Sequence, residues 1–202
     1  MTRVVTTGIG GAVTDVVTRP RVRVVPLAAL PVVALAVVGV AVSIAGNWLW
    51  ALVFCHVVGG ALWTALDLFV GLVLGPIIGR LSPPARAEFS ARFMPAMVVI
   101  MPTVVMMTLA AGFQVARRMG NLATTSPNHA WLVVSMVVVG VMAVIALGVL
   151  EPANIAVLTE MNRPAPNAER IGRLMRRFIY TAGVTGVMQV ATLVIMTRVA
   201  SR

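Results

Sequence analysis

The sequence predicts an all-α integral membrane bundle of about five transmembrane helices. Three observations predict it. Of 202 residues, 59% are hydrophobic and 11% charged, against about half apolar and roughly a quarter charged in soluble domains. Mean hydropathy is +0.98. The apolar residues gather into runs near the roughly 20 residues that a helix needs to cross a bilayer, with polar, arginine-bearing segments between them. One transmembrane domain over 24–198 follows, behind a polar segment 1–23 expected to be cytoplasmic.

The first span is expected at 24–45. Arginines precede it and Ser43-x-Ala45 ends it, as in a signal peptide. Its apolar part of about 22 residues exceeds the usual roughly 7–15 of such a region, so a retained helix is expected. Gly46-Asn47 turns the chain into the second span, 48–78, where Trp48 and Trp50 suit a membrane interface. Residues 79–92 read as a polar loop with a short amphipathic helix after Pro83-Pro84. The third span is expected at 93–116, with Pro102 inside it, a break that membrane bundles tolerate. The fourth is expected at 130–158, past Glu151-Pro152, and the fifth at 173–197.

The net charge of +10 comes from sixteen arginines and no lysine. They sit between the apolar runs rather than on one soluble face, which argues for topology signals and against nucleic acid. Five spans put the termini on opposite sides. With the N-terminus inside, Arg3, Arg19, Arg21, Arg23, Arg80, Arg86, Arg92, Arg163, Arg170, Arg173, Arg176 and Arg177 lie inside, and Arg117, Arg118, Arg198 and Arg202 outside. The positive-inside rule favours that orientation. A multi-pass protein of a bacterial plasma (inner) membrane is expected. The single Cys55 excludes an internal disulfide and a cysteine-based zinc site. No P-loop, H-E-x-x-H or cysteine pair is present, which argues against a nucleotide-driven pump and a soluble-type hydrolase.

The second span organises the rest. It carries His56, one of two histidines, and Asp67, one of six carboxylates. Ionisable groups in hydrocarbon are costly and face the bundle interior. At about 100° per residue, His56, Gly60, Trp63, Asp67 and Leu74 share one face. On the fourth span His129, Met136, Gly140, Glu151 and Asn154 share a face if that helix is straight. Two such stripes facing each other would enclose a cavity closed by Trp63. Asp67 and Glu151 read either as ion-pair partners of Arg80, Arg92 or Arg173 or as a proton or cation path.

His56 and His129 both fall in the outer half, and two histidines on two helices are a common way to hold a b-type haem. Met106 and Met107 lie within about two turns of His56 in depth, and a thioether can ligate haem iron or Cu(I). Methionine is also a flexible gap-filler in cores. Met94, Met97 and Met101 share a face that suits a path or packing. Glycines 59, 60, 71, 75, 183 and 186 suit close helix approach or room for a flat cofactor.

The segment His56-Val-Val-Gly-Gly-Ala-Leu-Trp63-Thr-Ala resembles the His-x-x-Gly/Ala-x-x-x-Trp-x-Gly helix of CopD-like (copper-resistance D related) bacterial membrane proteins, including their short branches. Ala65 stands where that family has glycine, and Asp67 is an added acid. The resemblance implies a helical bundle with copper handling or haem-linked redox chemistry, and carries over His56 as the helix histidine.

Three functions are therefore expected in turn. The first is a membrane redox protein with haem b or a related metal centre held by His56. Met106, Met107 or His129 would be the opposite ligand, and a quinone or redox partner would lie at the outer face. The second is a copper or proton-coupled small-solute transporter using the His56–Asp67 stripe. The third is a structural or assembly subunit of a larger membrane complex, and the partners expected include a second copy in a homo-oligomer or the other chains of such a complex.

Overall fold

The computed structural model describes residues 25–201. The segment 1–23, with its four arginines, and Arg202 lie outside the described residues. Within them five helices are long and apolar enough to span a membrane: α1 (Leu27–Ala45), α2 (Leu49–Arg80), α3 (Pro83–Arg118), α4 (His129–Met161) and α5 (Ala168–Ala200). No strand occurs among the described residues. The protein is an all-α, multi-pass membrane bundle.

Helices α2, α3, α4 and α5 close a four-membered ring, in which α2 packs on α3 and α5, and α4 packs on α5 and, through 151–161, on α3. Helix α1 lies outside the ring against α3 and α2, and its buried residues are Val40 and Ser43. The core runs down the ring axis through Trp63, Val70, Met94, Met97, Val105, Met142, Leu150, Val157, Met175 and Phe178. Elsewhere large apolar side chains such as Leu35, Phe54, Leu72, Val144 and Val187 point outward, as a lipid-facing surface requires.

Two helices begin earlier than the sequence predicts. The helix expected after Pro83-Pro84 is present, but it is the start of α3 itself: Leu81 and Ser82 alone separate α2 from α3, which runs unbroken from Pro83 through Pro95 and Pro102 to Arg118. Proline is tolerated in a helix's first turn, where its missing N–H has no partner to lose. Arg86 then fastens the corner, donating to the carbonyls of Ile78, Gly79 and Leu81. Helix α5 starts at Ala168, where the Asn167 side chain caps it by accepting from the Arg170 N–H at 2.9 Å, a favoured capping role. The α4–α5 turn is clamped by Glu160, 3% exposed. It bridges to Arg163 at 3.3 Å and Arg170 at 3.4 Å, and accepts from the Asn167 N–H.

Two helices change pitch inside the bundle. Phe69–Leu74 in α2 and Ala146–Leu150 in α4 are π turns. The Gly75 N–H donates to Val70 O and the Glu151 N–H to Ala146 O, each five residues back. Each turn is followed by a proline, Pro76 or Pro152. A proline ring clashes with the carbonyl four residues before it, and a widened turn moves that carbonyl aside. The wide turn also turns the helix face. On α4, Met136 and Gly140 look outward whereas Glu151 is half-buried and Asn154 fully buried. The single polar face expected along α4 is therefore split between its two halves.

A candidate carboxylate site in the bundle core

Asp67 is 1% exposed. Its Oδ2 accepts from Thr185 Oγ1 at 2.9 Å and from Gln189 Nε2 at 2.9 Å, both on α5. The Gln189 carbonyl oxygen accepts in turn from Thr64, one turn before Asp67 on α2. Each hydroxyl has an alternative acceptor in its own helix. Thr185 also lies within reach of the Thr181 and Ala182 carbonyls at 3.1 and 3.0 Å, and Thr64 within 2.8 Å of Gly60 O. A hydroxyl has one proton to give, so each threonine chooses between the buried network and its own backbone. Trp63, also buried, sits beside the carboxyl, yet its indole N–H completes no hydrogen bond.

Asp67 shares a cavity with Glu151. It measures about 10 Å³ and lies where all four ring helices meet. Val70 adjoins Asp67, Ala146 and Leu150 adjoin Glu151, Met97, Met101, Pro102 and Val105 come from α3, and Phe178 and Ala182 from α5. A cavity needs roughly 10–15 Å³ to hold one water, so this one is at the lower edge of that size. Both π turns abut it: Asp67 lies just before one, Glu151 just after the other. The Glu151 carboxyl makes no hydrogen bond or ion pair among the described residues. One turn along α4, Asn154 is fully buried with both amide atoms unpartnered.

The ion-pair reading of the two carboxyls does not hold among the described residues. Arg92 pairs with Glu88 and Arg173 with Glu169, both one turn away on their own helices.

The histidine level is different. His56 Nδ1 lies 3.0 Å from Thr108 O. A carbonyl can only accept, so Nδ1 donates, and in the neutral ring Nε2 keeps its lone pair. The ring lies on Gly112, where an added Cβ would fall 2.5 Å from ring atoms. A Cβ on Gly59 would meet Thr108 Oγ1 at 2.5 Å and Met107 Cε at 3.0 Å. Neither glycine leaves a slot for a flat macrocycle, because neighbours fill both. Met106 is 57% exposed on the outer surface of α3. His56 belongs to the α2–α3 seam, whereas the half of α4 that begins at His129 packs on α5. The His129 Nδ1 is buried without a partner. No three of His, Cys, Asp or Glu gather as a metal site among the described residues.

The sequence missed Thr185 and Gln189. Their signal is a glutamine and a threonine one turn apart inside an apolar run, a spacing that puts both on one face, where a polar side chain implies an interior partner. No family model matches the chain, and no curated protein and no solved structure matches it. What the fold and site define is a class: a membrane bundle, with five spanning helices among the described residues and two carboxyls at one internal cavity.

Proposed function

We propose that this protein is a proton-coupled carrier of a small solute, with Asp67 and Glu151 as its proton-exchanging pair. The observation that carries the reading is their common cavity at two π turns, with no arginine among the described residues paired to either. Intramembrane carboxyls that lack an ion-pair partner and face the bundle interior mark proton and substrate paths, and π turns recur at functional sites.

The network supplies the mechanism. Both donors reach Oδ2 of Asp67, which leaves Oδ1 to take a proton. When Asp67 is charged, Thr185 and Gln189 stabilise the anion. When it is neutral, Thr185 turns its proton to the Thr181 or Ala182 carbonyl. The proton passes to Glu151 across the cavity, directly or through one water. One turn from Glu151, the unpaired amide of Asn154 offers an NH2 donor group and a carbonyl acceptor for a polar group of the solute. By the arginine bias, the end bearing Arg80, Arg163 and Arg173 would face the cytoplasm of a bacterial cell.

Proteoliposomes holding a pH-sensitive dye test this under an imposed potassium diffusion potential, against a panel of amines, sugars and amino acids. Solute-dependent proton movement is expected from the wild type. Asp67→Asn, nearly isosteric, should abolish it while the protein stays folded. Equal movement with Asp67→Asn would overturn the reading.

One observation favours a second reading, a metal ion such as copper at His56, as the CopD-like resemblance implies; the filled glycine positions leave no room there for haem. Metal-bound histidines commonly donate their other ring nitrogen to a carbonyl, as Nδ1 does here, and Met107 offers a thioether in the same seam. Iron and copper assays with a reduced-minus-oxidised visible spectrum test it. Bound metal lost in His56→Ala would support it, and a colourless, metal-free protein from cells supplied with both would sink it.

A further inference from the structure

A second cavity lies on the outside of the ring. It is a groove of about 800 Å³ between the second half of α2 and the first half of α5, within the roughly 300–1,000 Å³ typical of ligand sites. The two helices nearly touch along its floor, where a Cβ on Gly71 would fall 2.4 Å from the Gly183 Cα. Gly75 likewise lets α5 come close, with Ile179 filling the place of its side chain, whereas a Cβ on Gly79 would meet nothing within 4 Å and its absence leaves that end of the groove open. Its walls are apolar, and no carboxylate among the described residues lines it. Arg86 and Arg176 stand at one end, with Tyr180 beside them.

Three features specify the occupant. The first is charge. Arg86 is held at the mouth by its three carbonyl bonds, and the Arg176 guanidinium has no hydrogen bond or ion pair among the described residues. The second is depth. From Arg176 to Met188, both lining residues, α5 rises about 18 Å at 1.5 Å per residue, close to one leaflet of a roughly 30 Å hydrocarbon core. The third is symmetry. Two copies paired about an axis along the membrane normal present the same patch to each other, which sets Arg176 against Arg176.

We propose that this groove binds one anionic phospholipid, its phosphate between Arg86 and Arg176 and its acyl chains along the glycine-lined floor. Basic pockets between transmembrane helices recognise such headgroups. The proposal stands apart from the carrier reading, and the failure of either leaves the other intact.

Native mass spectrometry in mild detergent tests it, with phosphatidylglycerol and phosphatidylcholine of equal chains supplied together. One phosphatidylglycerol per chain should be retained in preference. Arg176→Gln should lower that retention about fivefold, the worth of one arginine near an anionic headgroup. Gly79→Leu should lower it too: a Cβ at Gly79 meets nothing within 4 Å, so the side chain enters the groove without disturbing the helices. Gly140→Leu, at an equally open site elsewhere, should change nothing. Equal retention of both lipids would overturn the proposal, as would wild-type retention by Arg176→Gln. Lipid-free dimers that Gly79→Leu converts to monomers would assign the groove to a second copy instead.

Discussion

The histidine level and the carboxylate level of the same ring are built in opposite ways. Around His56 the helices keep regular pitch, and each absent glycine side chain is replaced by a neighbour: the His56 ring on Gly112, Met107 and Thr108 on Gly59. Around Asp67 and Glu151 two helices widen into π turns, a third carries Pro102, and a cavity remains. The first arrangement locks α2 to α3. The second keeps polar groups with spare partners and room for a proton to move. Ionisable residues on one span thus sit in different surroundings according to whether the helices around them are close-packed or loosened.

The comparison can be sharpened by glycine substitutions, which should have the largest effect on stability. Gly71→Ala drives a Cβ into the Gly183 backbone, which has no rotamer to yield, whereas Gly112→Ala meets the His56 ring. Overpacking costs about 1–3 kcal/mol. Gly71→Ala should fall at the top of that range and Gly112→Ala lower, measured as thermal or denaturant unfolding in detergent. The reverse order would mean that the histidine seam, not the α2–α5 contact, limits stability. Gln189→Leu comes next. It strips Asp67 of one donor and Thr64 of one acceptor, for about 1–3 kcal/mol, and should weaken proton coupling even in the folded fraction. Full coupling with Gln189→Leu would show that the network is packing alone. His56→Phe should be the mildest, keeping a ring over Gly112 and losing one hydrogen bond at about 1 kcal/mol, with proton movement intact. Loss of proton movement in that variant would erase the division between the two levels.

Much of the architecture is legible in the apolar runs, because length and composition decide what crosses a bilayer. The early starts of α3 and α5 are less so. Their first turns are charged and project beyond the apolar run, so hydropathy stops short. The pairs Glu88–Arg92 and Glu169–Arg173, spaced four apart, were readable as helical, and reading them would have removed both arginines as partners for the core carboxyls. Asp67 and Glu151 stand out from the sequence as acids in hydrocarbon. Their meeting does not, since it depends on two π turns that a uniform 100° step cannot represent. Asn154 and Glu151 therefore keep the inner face while Met136 and Gly140 leave it. The His56 bond to Thr108 O lies across two helices and has no periodic signature.

The shared proton of Thr185 has a consequence in time. One hydroxyl serves three acceptors, and changing among them moves a single hydrogen atom about one bond. Rotations of that kind are comparable to methyl rotation, on the order of picoseconds to nanoseconds, whereas concerted helix movements take roughly microseconds to milliseconds. A charge arriving on Asp67 is answered by its surroundings long before any helix can shift. Proton arrival and helix movement are then separate events, and a slow kinetic phase seen after a pH jump would report the bundle rather than the carboxyl.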